Sequence, residues 1–240
     1  YEKTFMINNS ANFRQQAIHA RRLVQAGEVG AVEHVSCYLM TKMRDFLNLP
    51  SNTTWCKPSG NMLGNGFAWG QLSHTLAWVY MVTGLSPVRV FCDMNYSKST
   101  GADLYDSASI RCSNGALVSV QGVATLPKSN ESGKLVENKI FGTEGCILYC
   151  GNDEDAESGD LVLTRHDGRN QRMPGFHFEN TSKEGTGPES LQAFIDGCLG
   201  NEFFNAADVT IGVKVVQTVE AMYRSAKSGC AETVVSSVGV

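Results

Sequence analysis

An Asn114-Gly115 pair set between two alternating runs limits the fold of this chain more than any other feature. Ala108, Ile110 and Cys112 alternate with polar partners before it, and Val118 and Val120 do so after it. Asn-Gly adopts the backbone of a tight hairpin turn, so the two runs are expected to be neighbouring antiparallel strands. The same alternation marks Val88, Val90, Cys92 and Met94. Val136 to Phe141 and Cys146 to Cys150 flank Gly142-Thr143-Glu144-Gly145, which reads as a second hairpin. Leu161 to Thr164 precedes Asp167-Gly168 and reads as an edge strand. The middle of the chain is therefore expected to be an antiparallel meander of about six strands.

Helical spacing brackets this sheet. Phe13, Ala17, Ala20 and Val24 recur at helical intervals, with Gly27 as a C-terminal cap. Val35, Cys37 and Leu39 then alternate as a half-buried strand. Residues 44–62, rich in Asn, Pro, Ser and Gly, read as a long irregular loop. Asp153 to Asp160 reads as an exposed loop, and Arg165 to Gly187 as a surface excursion. Thr186 and Glu189 bracket a capping box. Leu191, Phe194, Ile195 and Cys198 form an amphipathic helix ending near Gly200. Ile211, Val215, Val219, Met222 and Ala226 form another, capped by Asn205 or Asp208 and ended by Gly229. The expected class is α+β: a large, mainly antiparallel open sheet with helices packed on one face. The other face must be wet or buried against a partner.

Composition excludes several functions. Twenty Lys and Arg against 24 Asp and Glu give a net charge of -4, so no basic field favours nucleic acid or an anionic membrane. No apolar run is long enough to span a bilayer, and Tyr1 opens no secretory leader. The eight cysteines form no CxxC pair and mostly fall in apolar alternation, which suits small buried hydrophobes in a reducing, cytoplasmic setting. For the same reason the Asn-x-Ser/Thr triplets at Asn8, Asn52, Asn95, Asn130 and Asn180 are not read as glycosylated. The scattered histidines match no metal-ligand spacing, so no metal is expected.

The stretch that carries chemistry runs from Gly64 to Trp78. A Gly64-Asn65-Gly66 turn enters a helix whose Ala68, Leu72, Leu76 and Val79 form a buried stripe. Gly70, His74 and Trp78 lie four apart on a second stripe, with Gln71 three before His74, and this stripe resembles a pocket wall. A glycine turn before a helix also invites a dinucleotide reading, with Asp93 as the acid. That reading requires a buried strand before the turn, and Ser51 to Met62 contains none. No cofactor-binding residue is therefore assigned within this chain.

Four segments together resemble a known family. They are Gly27-Glu28-Val29-Gly30 with the strand after it, Gly64-Asn65-Gly66 with Ser73-His74, Gly142-Thr143-Glu144-Gly145, and the closing helix to Lys227-Ser228-Gly229. Their order and spacing are similar to the C-terminal domain of Gfo/Idh/MocA oxidoreductases, from roughly Phe13 to Gly229. The resemblance implies a linker over residues 1–12 from a separate N-terminal Rossmann domain. Residues 13–240 would then be the substrate-binding and oligomerisation domain. It implies NAD or NADP bound by that Rossmann domain, and hydride transfer at a hydroxyl-bearing carbon of a sugar, polyol or related compound. It also implies a homodimer or homotetramer through the sheet face, and a fragment inactive alone.

Carried over by position, His74 matches the family's catalytic histidine, with Gln71, Asn65, Trp69 and Lys57 as candidate substrate contacts. Gly70 stands where an aspartate is usual, Ala77 where a further acid often follows, and Asn12-Phe13 where an arginine and an aromatic are common. These departures keep open an alternative, a non-catalytic ligand-binding or assembly module of the same fold.

Overall fold

The computed structural model of the chain describes residues 3–60, 62–129, 133–153, 155–178 and 190–235. Its frame is a nine-stranded sheet of order β8-β7-β6-β5-β1-β4-β3-β2-β9. The strands are β1 (Val32–Thr41), β2 (Pro87–Tyr96), β3 (Asp103–Cys112), β4 (Leu117–Val123) and β5 (Lys134–Gly142). Then come β6 (Gly145–Asn152), β7 (Asp155–Arg165), β8 (Gln171–Phe176) and the short β9 (Glu232–Thr233). Helices α1 (Gln15–Gln25), α4 (Ser73–Thr83) and α6 (Val209–Ser228) pack together over one face. Two short helices, α2 (Arg44–Asn48) and α3 (Thr53–Cys56), interrupt the segment expected to be irregular.

Both hairpins form. β3 and β4 pair across Asn114-Gly115, with Ile110 opposite Val118. β5 and β6 pair across the glycine turn, with Ile140 opposite Ile147. The alternation sorts the faces as expected: Val35, Cys37 and Leu39 of β1 are buried beneath the helices, as are Val90 and Cys92 of β2. Phe91, Tyr105 and Phe141 stand exposed on the open face. Apolar burial of this kind contributes roughly 1.5–3 kcal/mol per large side chain.

The sheet is not a simple meander. β1 inserts between β4 and β5, parallel to β4 and antiparallel to β5. Two glycine turns hold it there. The Thr143 N–H donates to the Ala31 carbonyl at 3.0 Å, and the Glu144 N–H donates to the Val29 carbonyl at 2.9 Å. The Ala31 N–H in turn donates to Thr143 Oγ1 at 3.1 Å. A Cβ on Gly142 would lie 2.3 Å from the Val29 carbonyl oxygen, so glycine is what lets the turns meet. Alternation fixes which face a residue takes and not which strand lies beside it.

Other boundaries also differ from expectation. β7 begins at Asp155, inside the segment expected to be a loop, and it is not the edge, because β8 pairs outside it. β8 reads Gln-Arg-Met-Pro-Gly-Phe, without apolar alternation, and is mostly exposed, with only Met173 and Phe176 packed against the core. The expected capping box at Thr186 and Glu189 lies outside the described residues. Helix α5 (Ser190–Leu199) forms, yet Leu191 and Ile195 of its apolar stripe remain exposed. Before Phe13 the chain packs back on the domain: the Ile7 N–H donates to the Ala207 carbonyl at 2.9 Å, and Asn9 and Asn12 are buried. All eight cysteines are free, four of them buried. Among the described residues no helix is long and apolar enough to cross a membrane.

Candidate active site

Helix α4 is buried on every side. Thr75 through Val82 are all buried, because α1, α6 and the sheet enclose the helix. Its sequence, Thr-Leu-Ala-Trp-Val-Tyr-Met-Val, is apolar all round, as such a position requires. The Tyr80 hydroxyl and Thr218 Oγ1 of α6 lie 2.8 Å apart, so this buried hydroxyl is satisfied. A glycine cap at φ 71° ends the helix at Gly84.

The turn before α4 is a π-turn over Ala68–Leu72, in which the Ser73 N–H reaches back to the Ala68 carbonyl. Such single wide turns displace the side chains that follow from regular helical stripes. The consequence is visible at the cavity beside α4. It is lined by His74, Thr75 and Trp78 of α4, Arg14 before α1, and Lys134, Asn138 and Tyr149 of β5 and β6, among others. Gly70 and Gln71, which ideal spacing places beside His74, do not line it.

Nor do Asn65, Trp69 and Lys57, which anchor the glycine turn. Asn65 Nδ2 donates to the Lys57 carbonyl at 2.9 Å, and Trp69 Nε1 donates to the Leu63 carbonyl at 3.2 Å. The Trp69 ring stacks on Tyr223 of α6 with centroids 6.1 Å apart. The Lys57 side chain is exposed. Gly64, at φ 71°, lies so close to Tyr223 that a Cβ would meet the ring at 2.2 Å. A Cβ on Gly66 would meet Asp103 Oδ1 at 2.3 Å. The glycines thus let the turn lie flat against α6 and β3.

Asp103 fixes the start of the His74 helix. Its Oδ2 accepts the Ala68 N–H at 2.6 Å, and its Oδ1 accepts the Tyr223 hydroxyl in a short bond. Asp106 lies beside it, fully buried. Burial first, and then the Asp103 charge, push the Asp106 carboxyl well above the usual carboxylate range. Sequence reading missed this pair because both acids fall within an ordinary alternating strand.

His74 itself is held neutral. Burial, reinforced by repulsion from Lys134 and Arg14, lowers its pKa from 6.5 to about 4. Arg14 is 3% exposed and stacks 3.8 Å from the centre of the Phe178 ring. Asp153 lies 3.6 Å from Arg14 Nη2 and 4.0 Å from Lys134 Nζ. Asn12 ties the chain together. Its Nδ2 donates to the Ala206 carbonyl at 2.8 Å and the Ala77 carbonyl at 3.3 Å. Among the described residues no group of His, Cys, Asp or Glu could hold a metal ion.

An open nine-stranded sheet, helices on one face only, and a small histidine-lined recess between the layers define an α+β domain. The chain belongs to the GFO/IDH/MocA C-terminal domain family, whose model matches residues 17–148, more than half of the chain. No curated protein matches it. Solved structures share the fold at low identity. The NAD binding oxidoreductase from Klebsiella pneumoniae superposes with a TM-score of 0.72 at 15% identity, covering 97% of this chain and 66% of that one. The oxidoreductase domain protein from Kribbella flavida gives 0.71 at 14% identity, covering 96% and 65%. An Agrobacterium radiobacter oxidoreductase in complex with NAD+, L-tartaric acid and magnesium gives 0.69 at 15% identity, covering 95% and 64%. The chain therefore spans less than two thirds of the length of each.

Proposed function

We propose that this chain is the substrate-binding and oligomerisation domain of an NAD(P)-dependent oxidoreductase that acts on a hydroxyl group of a sugar, polyol or related compound. The observation that carries this reading is His74: a neutral imidazole on a rigid, fully packed helix, facing a cavity. A neutral imidazole can accept the hydroxyl proton while the carbon that bears it is oxidised. In this reading a separate Rossmann domain would hold the dinucleotide and supply the hydride acceptor. The complex of the Agrobacterium protein with NAD+ and a hydroxy acid is consistent with such a pairing. Gln71 and Lys57 are proposed as contacts for the outer part of the substrate, with Asn65 and Trp69 supporting the turn beside them. The open face, with Phe91, Tyr105 and Phe141 exposed, is the proposed surface for a homodimer or homotetramer. The cytoplasm is the proposed location.

Gly70, in the position of the usual aspartate, favours one rival, a ligand-binding or assembly module without catalysis. Nicotinamide reduction by the full-length protein, with NAD and NADP and a panel of sugars, polyols and hydroxy acids, separates the two. Substrate-dependent reduction supports the oxidoreductase. A folded protein that binds a compound from the panel without reducing either nucleotide supports the module.

A further inference from the structure

Helix α5 turns an apolar face outward. Leu191, Ile195, Cys198 and Leu199 share one helical stripe, and all four are exposed, Leu191 at 70% and Leu199 at 71%. A surface helix ordinarily turns charged and polar residues that way. The inward side of α5 rests on the start of the chain. A Cβ on Gly197 would lie 2.9 Å from Thr4 Cγ2 and 2.6 Å from the Phe203 ring. Ser190 Oγ donates to Asn8 Oδ1 at 3.4 Å. A helix of 10 residues is marginal without packing, so a bare apolar stripe on it calls for a cover.

The outward stripe of α6 changes character along its length. Val209, Val213 and Val216 occupy its first part, all three exposed. Glu220 and Arg224 continue it, four residues apart and joined as an ion pair at 3.5 Å. One face of one helix is thus apolar over its first turns and suited to water beyond them. Such a change marks the edge of a covered area.

Residues 4–8 run between the two stripes. Ile7 packs on α6 so closely that a Cβ on Gly212 would lie 1.8 Å from its Cδ1. Asn205 Nδ2 donates to the Phe5 carbonyl at 2.9 Å, while the Phe5 ring stands exposed.

We propose that α5, Phe5 and the first turns of α6 are the dock for a domain that precedes Tyr1, with an apolar surface of that domain lying over Leu191, Ile195, Leu199, Val209 and Val213. Two observations select this occupant over a second copy of the chain. The chain enters the fold through the patch, so a domain joined there is held beside it at high effective concentration, and a modest apolar contact suffices. The solved structures that share the fold also continue past it for about a third of their length. The proposal rests on the two-domain reading above and deepens it. Because α6 packs on α4, the dock lies on the same layer as the helix that carries His74.

The test is alkylation of the full-length protein by N-ethylmaleimide, followed at each cysteine by peptide mass spectrometry. Cys198 lies within the α5 stripe and reports its cover, while Cys230, exposed beyond the far end of α6, reports access of the reagent. In the native protein Cys198 is expected to react roughly tenfold or more slowly than in denaturant, at every protein concentration, while Cys230 reacts readily. Leu199→Glu is expected to restore fast reaction at Cys198 without changing the oligomeric state seen by sedimentation. Fast reaction of Cys198 in the unaltered native protein overturns the proposal. So does shielding that disappears on dilution, or a shift of Leu199→Glu toward monomer, either of which assigns the stripe to a second copy. The unaltered protein is tested without any variant, so a misfolded Leu199→Glu does not blunt the result. A two-domain protein with an unshielded Cys198 would end the dock and leave the oxidoreductase reading standing. A shielded Cys198 in a protein that reduces no nucleotide would do the reverse.

Discussion

Acid unfolding of the His74→Gln variant isolates the environment on which the site depends. In the folded chain His74 titrates at about 4 and in an ordinary setting at 6.5. At about 1.36 kcal/mol per pKa unit, a displacement of that size is worth about 3 kcal/mol. The sign follows from proton counting. Between the two values the unfolded chain holds the proton on His74 and the folded chain does not. The contribution is therefore fully present above pH 6.5, and it is lost as pH falls from 6.5 toward 4. Glutamine cannot ionise, so His74→Gln removes this part of the pH dependence. Urea unfolding of both proteins across that range should give stability curves that converge on acidification, the gap changing by up to about 3 kcal/mol. An NMR titration of the His74 ring supplies the pKa directly. Parallel stability curves, or a ring that titrates at 6.5 or above, would refute the argument that burial and two neighbouring cations hold the imidazole neutral.

Further predictions concern the scaffold. Gly64→Ala places a Cβ against Tyr223 at a left-handed backbone position, and should cost about 2 kcal/mol or more, measured as a lowered melting temperature. Asp106 has its carboxyl pKa raised by burial and by Asp103, so its stabilising contribution is greatest at acidic pH and is lost as pH rises above the ordinary carboxylate range. Asp106→Asn should therefore be more stable than the unaltered chain at mildly alkaline pH, with the gap closing on acidification, as calorimetry would show. If the open sheet face joins subunits, Phe91→Glu should shift sedimentation of the full-length protein toward monomer without lowering its helical content.

The strands were legible because their alternation reports directly on a one-sided sheet, and the helices because their stripes report on packing. Pairing was less legible. Val35, Cys37 and Leu39 show which face of β1 is buried, but the position of β1 between β4 and β5 depends on contacts between turns more than a hundred residues apart. Gln171–Phe176 is invisible to pattern reading because a mostly exposed edge strand needs no apolar alternation. At the site, His74 and Trp78 were readable as neighbours on one helix. The π-turn at Ala68–Leu72 then took Gly70 and Gln71 out of the cavity, and no spacing rule foresees it. Arg14 and Lys134 were missed for the opposite reason. Each is an isolated charge in its own segment, and only the fold carries both to His74.

Turnover of the full-length protein carrying His74→Ala, followed beside its melting temperature, tests the central claim most directly. A general base contributes roughly a hundredfold or more to rate, so kcat should fall by at least that factor while the protein stays folded. A folded His74→Ala protein with unchanged kcat would contradict the account.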